Sequence, residues 1–310
     1  MNKVWLTGDA VVDLIADGEK HYLKCPGGAP ANVAVAIARL CGKAIFLGKI
    51  GNDPIGRLMK KTLKEENVNT EYLYTSEYHR TSTVIVDLDD HGERSFTFMV
   101  KPSADQFLCS QEIPEFSTNQ WLHGCSIALA HEPSRSATLL AMEKIKQVHG
   151  YVSFDPNLRP EVWSDTQDLI PTVMQAIALA DVVKLSKEEL LYLTSTQTLD
   201  DALSILEPIN IPLILITQAE QGTLVITNKT RWQQPSIKVT PIDTTGAGDA
   251  FVGGVLARLS QSNNWQTTSI IRQAVQWGNI CGALATTKKG AMTALPTAQQ
   301  LKENLLQLND

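Results

Sequence analysis

Several common routes to function are closed by what this sequence lacks. No Gly-Lys-Ser or Gly-Lys-Thr occurs in its 310 residues, which excludes a Walker-type phosphate loop. No GxGxxG follows the first apolar run, so a dinucleotide oxidoreductase is excluded too. The five cysteines (Cys25, Cys41, Cys109, Cys125, Cys281) are odd in number and lack CxxC spacing. That pattern argues against structural zinc and predicts reduced thiols, most of them buried as small hydrophobes. No apolar run approaches membrane-spanning length, and Met1-Asn2-Lys3-Val4-Trp5 leads into a strand pattern rather than a signal peptide. The expectation is a cytoplasmic protein without membrane contact. Positive charge is short as well: 27 Lys and Arg against 33 Asp and Glu give a net charge of −6. A nucleic-acid footprint is therefore not expected.

What is present suits one large α/β unit, with 43% hydrophobic and 19% charged residues. The chain turns on Asp243-Thr244-Thr245-Gly246-Ala247-Gly248-Asp249, after which Phe251, Val255 and Leu259 recur at helical spacing. This reads as a glycine loop opening into a helix, with Asp249 in or beside the first turn. Such an end carries unpaired N–H groups and the positive end of the macrodipole, so it attracts an anion. Gly246, Ala247 and Gly248 let a phosphate approach the backbone, and a carboxylate beside it can take a proton from an attacking hydroxyl. Taken alone, the string reads better as a capped tight turn; it gains weight from the company it keeps.

A second glycine turn, Cys25-Pro26-Gly27-Gly28-Ala29-Pro30-Ala31-Asn32, feeds a helix that carries Val33, Ile37 and Leu40 on one face. Asn32 at its entrance can donate and accept at once, which suits a polyhydroxylated ligand or a cap. Asp9 and Asp13 follow the first strand pattern at 4–7, where ligands of open α/β sheets bind. Strand patterns recur at 44–47, 121–125, 151–155, 181–185 and 213–217. Helical stripes lie at 135–147, 165–180, 187–194, 199–207 and 265–287. This alternation predicts a mostly parallel sheet with helices on both faces. Residues 82–104 break it: 84–88 and 94–98 flank Asp89-Asp90-His91-Gly92-Glu93, a hairpin signal. With the polar stretch 14–24 they are expected to form a small β lid over a site. Two strand exits carry further chemistry, Asp155-Pro156-Asn157-Leu158-Arg159 and Lys184-Leu185-Ser186-Lys187-Glu188-Glu189. Arg159 and Lys184 can neutralise phosphate, and an acid there can hold hydrated Mg²⁺; solvated surface pairs would look the same.

Together, Gly27-Gly28-x-x-x-Asn32 and Asp243-Thr-Thr-Gly-Ala-Gly-Asp249 resemble the two signatures of the ribokinase-like (pfkB) carbohydrate kinases. The resemblance covers essentially the whole chain, 1–310, as a single kinase domain. Asp155-Pro-Asn-Leu-Arg159, Gly92-Glu93-Arg94-Ser95-Phe96 and Lys184-Leu-Ser-x-x-Glu189 look like the fructokinase branch. Tyr22-Leu-Lys-Cys-Pro-Gly-Gly28 and Lys289-Gly-Ala-Met-Thr-Ala-Leu-Pro296 are similar to aminoimidazole riboside kinase, a close relative. The resemblance implies ATP-dependent phosphorylation of a sugar, foremost fructose, with Asp249 as base and the N–H groups of Gly246, Ala247 and Gly248 as charge stabilisers. It implies sugar contacts from Asp13, Gly28, Asn32 and lid residue Phe98, with Arg159 and Lys184 near the phosphates. Glu189 would organise Mg²⁺, and Thr217, Gly222 and Asn279 would line the ATP site. The family's monovalent-cation (K⁺) loop maps to Asp243, Thr245, Ala285, Lys288 and Gly290. A homodimer through the lid is a further expectation.

The chain departs from the family pattern at four places. Ser186 stands where ribokinases have Asn in the metal motif, and Ala219 replaces the first glycine of the nucleotide loop. Ala294 falls where ribokinases offer a side-chain cation ligand. Ala29 follows the glycine pair where ribokinase has Lys, which argues against ribose. A furanoside kinase, or a sugar or nucleotide sensor without catalysis on the same fold, are the alternatives.

Overall fold

The first strand shows how the fold is laid down. In the computed structural model, which describes residues 1–18, 20–88 and 94–308, Val4 and Leu6 point into one buried apolar cluster and Trp5 into another. Side chains alternate across a strand, so apolar residues in an unbroken run demand cover on both faces.

The chain begins β1 (Lys3–Thr7), β2 (Val11–Asp17), β3 (His21–Gly27), α1 (Ala29–Arg39), β4 (Lys43–Gly51), α2 (Pro54–Glu65) and β5 (Leu73–Ser76). β6 (Thr83–Leu88), β7 (Arg94–Phe98), β8 (Trp121–Cys125), α3 (Ser134–Gln147), β9 (Tyr151–Asp155), α4 (Leu169–Leu179) and β10 (Val182–Ser186) follow. Then come α5 (Lys187–Thr194), α6 (Leu199–Leu206), β11 (Leu213–Thr217), β12 (Thr223–Thr227) and β13 (Arg231–Gln234). The chain closes with α7 (Ala247–Leu259), α8 (Thr268–Ala285), α9 (Ala291–Ala294) and α10 (Ala298–Gln307).

Nine strands form the main sheet in the order β13-β12-β11-β10-β9-β8-β1-β4-β5. All its pairings are parallel except the two at the β11-β12-β13 edge. Apolar faces of α1, α2, α7, α8 and α10 cover one side, and α3 to α6 cover the other. Local chemistry sets the helix starts. Asp53 caps α2 by accepting from Gly56 N at 2.8 Å, with Pro54 next in line. Ser186 and Glu189 form a reciprocal capping box on α5.

The second sheet has the order β3-β2-β6-β7. It is the expected lid, although its strands run further than the polar stretch 14–24 suggests: β2 begins at Val11 and β3 ends at Gly27. Asp13 consequently sits on a lid strand rather than in the loop after β1. The hairpin turn Asp89–Glu93 lies outside the described residues, and its flanks pair antiparallel as expected. Two stripes are shorter than their periodicity. Residues 166–168 form a 3₁₀ turn ahead of α4, and α8 starts only at Thr268, after its cap residue Thr267. The strand β5 carries too little apolar patterning to stand out in the sequence.

Candidate active site

The carboxyl ends of β1, β9 and β10, the N-termini of α1 and α7, and the inner face of the lid enclose a cleft of about 530 Å³. Open α/β sheets bind ligands at this end. Asp13, Gly28, Asn32, Phe98, Arg159, Lys184, Glu189, Thr245, Gly246, Gly248 and Asp249, drawn from residues 236 positions apart, all line it.

Two glycines make the walls possible. Gly28 has φ +99, and a Cβ there would lie 2.5 Å from the carbonyl oxygen of Asp9. Gly246 has φ +74, and a Cβ would meet Ala291 at 2.9 Å. L-residues with side chains rarely adopt such backbones. Gly246 occupies the cap position of α7 and Asp249 its third turn position, so Asp249 is not an N-cap. No side chain caps this helix, nor does any cap α1. Two helix N-termini thus present backbone N–H groups at the cleft. Ala247 is the first residue of α7 and does not itself line the cleft.

Asn32 in the first turns of α1 donates from Nδ2 to Asp249 Oδ2 at 2.8 Å, while its buried Oδ1 has no partner. An orphaned buried acceptor facing a cleft calls for a hydroxyl donor. Burial pushes the Asp249 carboxyl up to about 6; the Asn32 bond holds it down, Asp155 pushes it up, and Lys184 and Arg159 pull it down. An acid in that range is ionised at neutral pH yet basic enough to accept a proton. Lys184 Nζ lies 3.0 Å from Asp155 Oδ2, with both side chains largely buried. Burial opposes its charge, but Asp155 and Glu189 more than offset this and raise the ammonium. A Cβ on Gly248 would come within 3.2 Å of Lys184 Nζ, so the ammonium stands over the glycine loop.

Glu189 spends both oxygens on backbone, accepting Leu158 N at 2.9 Å and Ser186 N at 2.8 Å. It lines the cleft, which fits a hydrated Mg²⁺ held through water better than direct ligation. Among the described residues no cluster of three or more metal-ligating side chains forms.

The remaining expected residues lie outside the cleft. Thr217 ends β11 and is paired with Ser186, which lines the cleft, so it lies one strand further along. Gly222 has φ +88 and turns β11 into β12. Asn279 is buried, accepting from Thr223 Oγ1 at 2.7 Å and donating to the carbonyl of Gln234 at 3.0 Å. Asp243 gathers part of the expected cation loop: Oδ1 accepts Thr245 N at 2.8 Å, and Oδ2 accepts Gly290 N at 2.8 Å. Ala285 ends α8, Lys288 is exposed, and Ala294 is buried with no donor to offer. Ala219, where the family has glycine, adopts φ +47, so the loop keeps the left-handed turn without the glycine.

Some features of the site carry little signal in the sequence. Asp155 is 3% exposed and is the buried partner of Lys184; its place at a strand exit was its only signal. Just after β8, Ile127 lines the cleft, whereas His123 on that strand is buried in the sheet beside Ser153. Desolvation pushes His123 down to about 3, so it stays neutral.

The model of the "pfkB family carbohydrate kinase" matches residues 1–298. A fructokinase of Vibrio alginolyticus is 56% identical over 97% of this chain and 98% of its own. A fructokinase of Vibrio cholerae O395, solved with fructose, ADP and calcium, superposes with a TM-score of 0.95 at 60% identity, covering 98% of each chain. Aminoimidazole riboside kinase of Salmonella enterica, solved with its riboside and an ATP analogue, gives 0.91 at 38% identity over 98% of this chain and 99% of that one. With both glycine turns, the lid sheet and the carboxylate at the uncapped helix in place, this chain belongs to the pfkB family of carbohydrate kinases.

Proposed function

We infer that this chain is an ATP-dependent fructokinase, one kinase unit over 1–310, working in the cytoplasm. The observation that carries the reading is Asp249 in the first turn of an uncapped helix, bonded to Asn32 and facing a cleft with Lys184 and Arg159. Likeness to a kinase holding fructose and ADP favours fructose over the riboside, whose kinase is the more distant relative.

Asp249 accepts the proton of a primary hydroxyl as that oxygen attacks the γ-phosphorus. The bond from phosphorus to the β,γ-bridging oxygen breaks, and ADP leaves with that electron pair. N–H groups of Gly246 and Gly248 aim at the charge that develops on the transferring group, whereas the Ala247 N–H is held by the Thr244 carbonyl at 3.2 Å. Arg159 and Lys184 neutralise phosphate oxygens, and Glu189 would hold a hydrated Mg²⁺ that supplies further charge neutralisation to the phosphates. Asp13, Gly28 and Asn32 hold sugar hydroxyls, with Phe98 covering the ring. Thr217, Gly222 and Asn279 border the adenine nucleotide further along the strand ends. Asp243, Thr245, Ala285, Lys288 and Gly290 would hold a K⁺ ion, with no side-chain ligand from Ala294. Two copies pair through the lid sheet.

ADP release measured with fructose, ribose, glucose, adenosine and aminoimidazole riboside tests the substrate. Fructose gives the highest kcat/KM. Turnover confined to the riboside would move the assignment to the relative, and turnover on none would refute it.

A further inference from the structure

Lys101 is a cation that the mechanism above leaves idle, and it stands where the lid joins the main sheet. The chain leaves β7 at Phe98, and Met99 N still donates to the Thr83 carbonyl of β6 at 2.9 Å. Further on, Ala104 opens the helical turn Ala104–Phe107, which Lys49 of β4 holds by the Phe107 carbonyl at 2.8 Å. Between these anchors Lys101 Nζ donates to the carbonyl of Glu161 at 2.7 Å and stands 5.3 Å from the centre of the Phe98 ring. Phe98 lines the cleft and packs against both the lid cluster of Val11, Val84 and Val86 and an apolar cluster of the main sheet. Glu161 belongs to the turn Pro160–Val162, which Arg159 opens. That turn is firmly held: Val162 and Trp163 are buried, and His131 Nε2 donates to the Val162 carbonyl at 2.7 Å.

We propose that Lys101 is the latch of the lid: its ammonium clasps the turn after Arg159 while the same charge holds the Phe98 ring over the sugar. A carbonyl oxygen and the face of an aromatic ring both attract a cation, so one ammonium serves both. Lys101 itself does not line the cleft, which makes it a positioning residue that acts through Phe98. Its side chain is exposed, so each grip is weak alone, and together they are worth about tenfold in sugar affinity. With the latch closed the sugar is covered and water is kept out. With the latch lost the lid opens more often and the sugar leaves sooner. The latch also ties the cover of the sugar to the loop that carries Arg159.

This inference rests on the sugar-kinase reading, and its test is the dependence of initial rate on sugar at saturating ATP. Fructose is the probe, or whichever sugar the wild type phosphorylates in the panel above, so a wrong sugar is exposed there and not here. Lys101→Met keeps the stem of the side chain and removes its charge and its donors. KM for the sugar rises about tenfold, while kcat stays within about twofold and Tm is unchanged, the mark of lost binding rather than lost chemistry or folding. Lys101→Arg keeps both grips and the wild-type KM. Phe98→Leu raises KM by itself, and adding Lys101→Met to it costs no more than about twofold further, because the ring the latch holds is gone. A wild-type KM in Lys101→Met overturns the proposal, as does a KM loss that Lys101→Arg fails to restore. Parallel losses of kcat and Tm, or a full tenfold penalty on top of Phe98→Leu, overturn it too.

Discussion

At the scale of single residues, the cleft separates groups by environment rather than by type. Asp249 is pushed up to about 6 by burial while two cations and Asn32 restrain it. A base works only when ionised, so kcat/KM should climb about tenfold per pH unit below 6 and level off above it. Arg159 is one of the charges that holds Asp249 down, so Arg159→Gln should shift that rising limb to higher pH. An unmoved limb in the variant would contradict the electrostatic account. Lys184 has a second duty. Its loss in Lys184→Met leaves Asp155 buried without its cation, at a cost of about 3–5 kcal/mol. Thermal unfolding checks this, and an unchanged Tm would contradict it. Only the pairing is hidden in the sequence: nothing in Asp155-Pro-Asn-Leu-Arg159 reveals that its first residue meets Lys184 on β10.

At the scale of elements, the site depends on how closely α7 approaches α1. A Cβ on Gly253 would come within 2.3 Å of Ala36 Cβ, so this glycine permits the approach that joins Asn32 to Asp249. Gly253→Ala should destabilise the fold by about 1–3 kcal/mol and lower kcat, because the helices must separate. Wild-type kcat and Tm in that variant would show that the helix spacing is not critical. Ala219 gives the opposite test. Its φ of +47 is strained for alanine, so Ala219→Gly should raise stability by up to ~1 kcal/mol, read from urea unfolding. The main elements were legible because their periodicity is strong: α1, α7 and the buried strands follow from apolar spacing and glycine turns. The lid was legible only as an interruption. Strands β2 and β3 run from buried residues at Val11 and Gly27 to exposed ones at the turn between them, with no alternation to read, so their ends lie three residues beyond the polar stretch 14–24.

At the scale of the molecule, the lid sheet ends in an edge strand, β3, on which Tyr22 is 54% and Leu23 is 57% exposed. Exposed apolar groups on an open edge favour pairing with a second copy. Sedimentation should find a dimer, and Leu23→Asp should weaken it; a monomeric wild type would contradict lid pairing. Conserving a cleft made from residues hundreds of positions apart is a property of topology, which is why the two glycine turns had meaning only jointly. The central claim is that Asp249 performs the proton transfer. The most direct measurement compares fructose affinity and fructose phosphorylation in the wild type and Asp249→Asn at pH 7. The account predicts affinity within a few-fold of wild type and kcat lower by about 10²–10⁴. Phosphorylation at the wild-type rate would show that another group takes the proton.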